Sequence, residues 1–235
     1  MKVGILCAGD REVAPFLPMI QNCKESEKAM LRFYEGTIEN VNIVTLFSGV
    51  CKVNAAIAAQ IMIDDFGCNV IINAGTAGSM TSDLAILDTV VCAEATYHDV
   101  DEGILTEFHP WLETIWFKVD EQLLALAKRA ANQLKNDCRI VFGRMVTGEK
   151  FIEADQREAI RLRYAPLSVD METASVAHVC YVNRKPFIAV RTITDTPNHS
   201  GVAAFEKNCI QASQISADFV KVMLRMSDWR ENDEV

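Results

Sequence analysis

The sequence predicts a single α/β domain around a mainly parallel sheet, and three observations carry that reading. Short runs rich in apolar and β-branched residues occur at Val3–Cys7, Val41–Phe47, Val70–Asn73, Thr89–Ala93 and Phe187–Arg191. Continuous apolar runs of this length mark strands buried on both faces. Helical patterns separate or follow them, at Lys52–Phe66, Asp120–Lys135, Ala154–Tyr164, Glu172–Asn183 and Phe205–Met226. Strands alternating with helices favour parallel pairing, because a crossover helix carries the chain back to start the next strand in the same direction. Finally, 235 residues, half of them hydrophobic and 23% charged, suit one large domain with an ample core.

Residues 1–229 are expected to form that domain, with a polar, frayed tail at 230–235. No repeat, low-complexity segment or linker interrupts it. Asp99–Phe117 is expected to be one long irregular stretch, rich in aromatics and acids, and such an excursion is usually functional or interfacial.

Net charge is −9 and no run of lysines or arginines occurs. Nucleic-acid binding needs a clustered cationic footprint, so that partner class is excluded and a small neutral or cationic substrate fits better. The cysteines at 7, 23, 51, 68, 92, 138, 180 and 209 form no C-x-x-C pair. They read as reduced thiols of a cytoplasmic protein rather than a zinc or disulfide framework. The apolar N-terminal stretch is shorter than a signal-peptide core, and no run approaches the roughly 20 residues of a membrane span.

Four segments carry candidate chemistry. The first strand ends at Cys7-Ala8-Gly9, and Glu12 follows at a helix start. Ligands of open α/β sheets bind beyond the carboxyl ends of strands, although an acid here also suits a first helical turn. Asn73-Ala74-Gly75-Thr76-Ala77-Gly78-Ser79 is a ligand loop or a tight turn, without a dinucleotide fingerprint or a P-loop lysine. Asp170-Met171-Glu172-Thr173 opens an apolar helix, with Asp170 a possible N-cap. Arg191-Thr192-Ile193-Thr194-Asp195 ends a strand on a carboxylate that could equally begin the turn into Pro197. His98-Asp99-Val100-Asp101-Glu102 lacks a second histidine at ligand spacing, so no metal is expected. There is no G-x-S-x-G elbow.

Together these segments resemble the bacterial 5′-methylthioadenosine/S-adenosylhomocysteine nucleosidases of the nucleoside phosphorylase superfamily. Ser48-Gly49-Val50-Cys51-Lys52, Tyr97-His98-Asp99-Val100-Asp101 and Gly148-Glu149-Lys150-Phe151-Ile152 extend the likeness over nearly the whole chain. The resemblance implies a three-layer α/β/α sandwich with a mixed, largely parallel central sheet. It also implies hydrolysis of the N-glycosidic bond of 5′-substituted adenine nucleosides, with no cofactor. Glu12 is similar to the family's general base for water, and Asp195 to the acid at N7 of adenine. Glu172 resembles the ribose-binding carboxylate, with Met171 against the sugar. Phe151 resembles the purine-stacking ring, with the Ile152 backbone at the purine edge. Val50, Thr76, Ala77, Gly78, Arg191, Thr194 and Phe205 complete the expected substrate contacts, Phe205 near the 5′ substituent. The family also implies a homodimer in which the Glu102–Trp116 region lies near the partner's active site.

Two departures bear on substrate and nucleophile. Gly9-Asp10-Arg11 stands where a methionine and a glutamate are usual in the family, and Glu102–Trp116 differs in sequence and length. The rival expectations are a phosphorolytic enzyme and a non-catalytic nucleoside-binding protein of the same fold. Asn73 stands where the hexameric phosphorylases carry an arginine, which favours water over phosphate.

Overall fold

A computed structural model describes residues 1–134, 139–199 and 201–226, the side chains at 154 and 155 excepted. Strand β1 (Lys2–Cys7) lies between β4 (Val41–Phe47) and β5 (Val70–Ser79), parallel to both. Strand β10 (Phe187–Asp195) extends the parallel run along β5. Beyond it β6 (Thr89–Tyr97) pairs antiparallel, and β8 (Ile140–Thr147) pairs parallel with β6. The short β9 (Ser168–Asp170) joins β8 to the far end of β5. Strands β5, β10, β6, β8 and β9 therefore curl into a closed ring. A two-residue strand, β7 (Phe117–Lys118), edges β6.

The other end of the sheet differs from the sequence expectation. An antiparallel hairpin, β2 (Gln21–Lys28) and β3 (Leu31–Ile38), continues it past β4. Every residue of β2 is exposed, so no alternating or continuous apolar pattern marks it in sequence. Parallel pairing holds the centre, while antiparallel pairing forms this flank, the β6–β10 and β5–β9 joints and the β6–β7 edge.

Helices cover both faces, and the period of two along β1 explains why. Val3, Ile5 and Cys7 point into one core, packed with α4 (Glu121–Gln133) and α7 (Val202–Met226) through Leu126, Val220 and Met223. Leu6 points into the other, packed with α2 (Lys52–Asp64) and α6 (Thr173–Val182) through Met62, Val176 and Ala177. The result is a three-layer α/β/α sandwich. Asp120 caps α4 by accepting the N–H groups of Gln122 and Leu123, both at 2.9 Å.

Several boundaries move in ways that matter for the site. Strand β5 runs through Ser79, so the small-residue segment after Asn73 is strand rather than loop. Strand β10 continues to Asp195 itself. Asp99–Phe117 is not wholly irregular, since α3 (Glu102–Glu107) forms within it, capped by Asp101. The expected frayed tail at 230–235 lies outside the described residues. Among the described residues, no helix is long and apolar enough to cross a membrane.

Candidate active site

The carboxyl ends of β1, β5 and β10 open onto a cavity of about 460 Å3. Glu12 reaches it from α1 (Asp10–Val13), which begins directly after β1. Its carboxylate folds back over the chain: Oε2 accepts the N–H groups of Ala8 (2.8 Å) and Gly9 (3.1 Å). Oε1 accepts the Thr76 N–H (2.7 Å) and hydroxyl (2.8 Å). The first-turn role and the cavity role thus coexist in one side chain. This seat requires Gly75, because a Cβ there would collide with the Glu12 carboxylate.

Beneath the cavity lies a buried charge cluster. Arg191 is fully buried and does not line the cavity, unlike the substrate contact expected of it. It holds three carboxylates instead: Asp170 at 3.1 Å, Glu172 at 3.3 Å and Glu12 at 3.7 Å. Its Nη2 also donates to Oδ1 of Asn73 at 2.6 Å. Asn73 donates in turn to the Leu6 carbonyl and accepts the Thr173 hydroxyl, tying β1, β5 and α6 together. One cation against three carboxylates leaves the cluster net negative.

Glu172 stands at the N-cap of α6, where its Oε1 accepts the Cys51 N–H at 3.0 Å. Burial pushes its carboxyl up to about 7; Arg191 opposes this, while Asp170 and Glu12 add to it. Asp170 is not the N-cap expected of it, because Glu172 holds that position; from two residues upstream its Oδ1 accepts the N–H groups of Glu172 (3.2 Å) and Thr173 (3.1 Å), an Asx turn that leads into the helix. It also accepts the Thr147 hydroxyl at 2.6 Å and pairs with Arg191. That second role is invisible in sequence, because ring closure through β9 creates it.

Asp195 lines the cavity on the other side of β5, opposite Gly78 in the β5–β10 register. Burial raises its carboxyl above the ordinary aspartate value, against the pull of Arg157 and the Thr194 hydroxyl. Oδ1 accepts that hydroxyl at 3.0 Å, and Oδ2 pairs with the Arg157 guanidinium. Arg157, from α5 (Ala154–Tyr164), escaped the sequence reading. It sits in the polar run Gln156-Arg157-Glu158, where nothing local signals burial.

The cavity walls hold the remaining predicted residues. Val50, Ala77, Gly78, Ile152, Met171 and Thr194 all line it, as does Thr76. Phe151 and Phe205 meet edge-on across one side, with centroids 6.3 Å apart at 74°. Near Phe205, Arg11 pairs with Glu206, so Asp10 and Arg11 bring charge to that rim. Asp99 accepts the Lys52 ammonium at 2.9 Å and the Glu149 N–H at 2.9 Å, fastening α2 to the Phe151 segment.

Residues 2–225 match the family described as the Phosphorylase superfamily. A 5′-methylthioadenosine/S-adenosylhomocysteine nucleosidase of Staphylococcus carnosus is 33% identical over 230 residues, covering 95% of this chain and 99% of its own. The nucleosidase of that name from S. pneumoniae, solved with the transition-state inhibitor MT-ImmA, matches with a TM-score of 0.87 at 28% identity, over 96% of this chain and 99% of its own. The futalosine hydrolase of Helicobacter pylori matches with a TM-score of 0.86 at 30% identity, over 95% and 97%. The chain belongs to the phosphorylase superfamily and, within it, to the family of the 5′-methylthioadenosine/S-adenosylhomocysteine nucleosidases.

Proposed function

We propose that this protein hydrolyses the N-glycosidic bond of 5′-substituted adenine nucleosides, methylthioadenosine and S-adenosylhomocysteine foremost, releasing adenine and the substituted ribose. One observation carries this reading: Glu12 and Asp195 flank the end of β5 in a single cavity whose floor is net negative. Cleavage builds oxocarbenium character on the sugar and negative charge on the departing base. The negative floor stabilises the first, and a proton from Asp195 to N7 relieves the second. Glu12, held as an acceptor by four donors, is oriented to take a proton from the attacking water. Glu172 accepts ribose hydroxyls, and Phe151 stacks on the purine. No step calls on a cofactor or metal.

Water rather than phosphate is the nucleophile in this reading. A phosphate dianion would meet Glu12, Glu172 and Asp170, while Arg191 is already committed to those carboxylates and Asn73. The test is adenine release from methylthioadenosine in phosphate-free buffer. Turnover without phosphate is expected; a strict phosphate requirement overturns hydrolysis, and no turnover with any adenine nucleoside overturns the enzyme.

The 5′ end is the less constrained part of the substrate. Val50 and Phe205 offer apolar contact there, and the Arg11–Glu206 pair offers charge. A panel that also includes 5′-deoxyadenosine and futalosine ranks the preference.

The protein is further proposed to be a cytoplasmic homodimer. The described cysteines are free thiols, in keeping with a reducing compartment. Val53 and Ile57 on α2, Phe108 and Trp111 after α3, and Tyr181 and Val182 at the end of α6 are exposed apolar residues. Val50, at the cavity mouth, is exposed as well, so a partner's 102–116 region covering this face would border the site. A monomeric wild type in sedimentation at micromolar concentration would overturn the dimer.

A further inference from the structure

Arg157 is a buried cation on the cavity wall that the reaction above does not use. Its Nη2 donates to Oδ2 of Asp195, its Nη1 donates to the Ser79 carbonyl, and its Nε has no hydrogen-bond partner. Oδ1 of Asp195 accepts the Thr194 hydroxyl at 3.0 Å. The single Thr194 O–H is shared between Oδ1 and the Ala77 carbonyl at 3.3 Å, while the Arg157 guanidinium on Oδ2 is the partner of an ionised carboxylate. Ionised is the wrong state for giving a proton to N7 and the right state once the proton has been given.

Among the described residues, Arg157 is the one charged group facing Asp195. Strand β10 offers the Thr194 hydroxyl, β5 the bare Cα of Gly78, and α7 the neutral Asn208 amide on the Thr194 carbonyl. A Cβ on Gly78 would stand 2.9 Å from Oδ2 of Asp195 and 3.4 Å from Nη2 of Arg157, so this pair is seated against naked backbone. Arg157 also lies in the first turn of α5, just after Phe151 and Ile152 on the same wall. The guanidinium is thus carried by a segment continuous with the Phe151 wall.

We propose that Arg157 is a positioning residue that alternates with the purine for Asp195: it holds the carboxylate in the empty cavity, withdraws as N7 takes its place, and re-pairs with the carboxylate left after proton transfer. With Arg157 withdrawn, burial is opposed by the Thr194 hydroxyl alone and Asp195 takes a proton from solvent. On cleavage, the C1′–N9 electron pair goes to adenine and the Asp195 proton passes to N7. The water oxygen bonds to C1′ and its proton passes to Glu12. Glu12 then releases that proton to solvent while Asp195 regains one, so the net change is addition of one water.

The inference rests on Asp195 being the acid, and the experiment separates the two. Steady-state pH profiles are measured with methylthioadenosine for the wild type, Arg157→Gln and Arg157→Lys. The kcat/KM profile reports the free enzyme and the kcat profile reports the complex. In the wild type, the alkaline limb of kcat is expected at higher pH than that of kcat/KM, because Arg157 has left in the complex. Arg157→Gln should move the kcat/KM limb upward, with kcat/KM relative to its maximum about tenfold higher on that limb, and leave the kcat limb in place. Arg157→Lys should keep the wild-type order. Coincident wild-type limbs, or a kcat/KM limb unmoved in Arg157→Gln, overturn the alternation; the wild-type comparison stands even if a variant fails to fold. Near-normal turnover of Asp195→Asn instead overturns the acid itself, whatever the limbs do.

Discussion

Thr76 gives both its backbone N–H and its hydroxyl to the same oxygen of Glu12, at 2.7 and 2.8 Å. The backbone donor belongs to β5 and survives any substitution but proline, whereas the hydroxyl is removable. Thr76→Val keeps the shape and removes one donor to a carboxylate. Such a bond is worth about 1.5–3 kcal/mol, so kcat is expected to fall roughly 10- to 100-fold, with a smaller change in KM. Steady-state adenine release measures this. An unchanged kcat would show that the hydroxyl has no part in orienting the base.

How the sequence announces this arrangement depends on the residue. Val70–Asn73 reads as a strand because it is continuously apolar, but Ala74–Ser79 reads as a loop because small residues carry no period. Pairing with β10 on one side and β9 at the far end makes it strand, and that is a tertiary cause. Glu12 and Asp195 are legible as carboxylates at strand ends. Arg157 is not, since a charged helical run looks solvated until Ser79 and Asp195, at the ends of β5 and β10, meet it. Arg191 is legible in an apolar strand, yet its place beneath the cavity follows from Asp170 and Glu172 arriving from β9 and α6. The β2–β3 hairpin escapes because the exposed β2 gains its structure from its partner alone.

Glu172 makes stability depend on pH. Burial raises its carboxyl from 4.5 to about 7 in the folded state. A group raised on folding contributes stability that is fully present below its unfolded value, here near 4.5, and lost as pH rises through its folded value. Glu172→Gln keeps an acceptor for the Cys51 N–H and removes the buried charge. The variant should match the wild type near pH 5 and exceed it above pH 8 by on the order of 2–3 kcal/mol. Thermal unfolding at the two pH values decides this, and an equal difference at both would reject the assignment. Activity should fall at the same time, because ribose loses its carboxylate.

Arg191→Met removes the cation from beneath three carboxylates. Breaking a buried pair by deleting one partner costs about 3–5 kcal/mol, since the remaining charges stay buried and uncompensated. Denaturant unfolding at pH 7 should show that loss, and the loss should shrink toward pH 5 as Glu172 takes up a proton. A deficit that does not change with pH would point to packing rather than charge.

Glu12→Gln tests base and nucleophile together, and the hydrogen bonds around Glu12 say what else it does. The amide NH2 must face either the Ala8 and Gly9 N–H groups or the Thr76 N–H and hydroxyl, and the three backbone N–H groups can only donate. The Thr76 hydroxyl can turn to accept from that NH2, but at least one buried backbone N–H is left unmatched, which costs about 1–3 kcal/mol. The variant should melt below the wild type and lose roughly 10²–10⁴-fold in kcat. Because Arg191 is already surrounded by carboxylates, added phosphate finds no free cation there and should not restore the rate. Adenine release with and without phosphate measures this. Recovery in phosphate would make the anion the nucleophile and return Glu12 to a structural role.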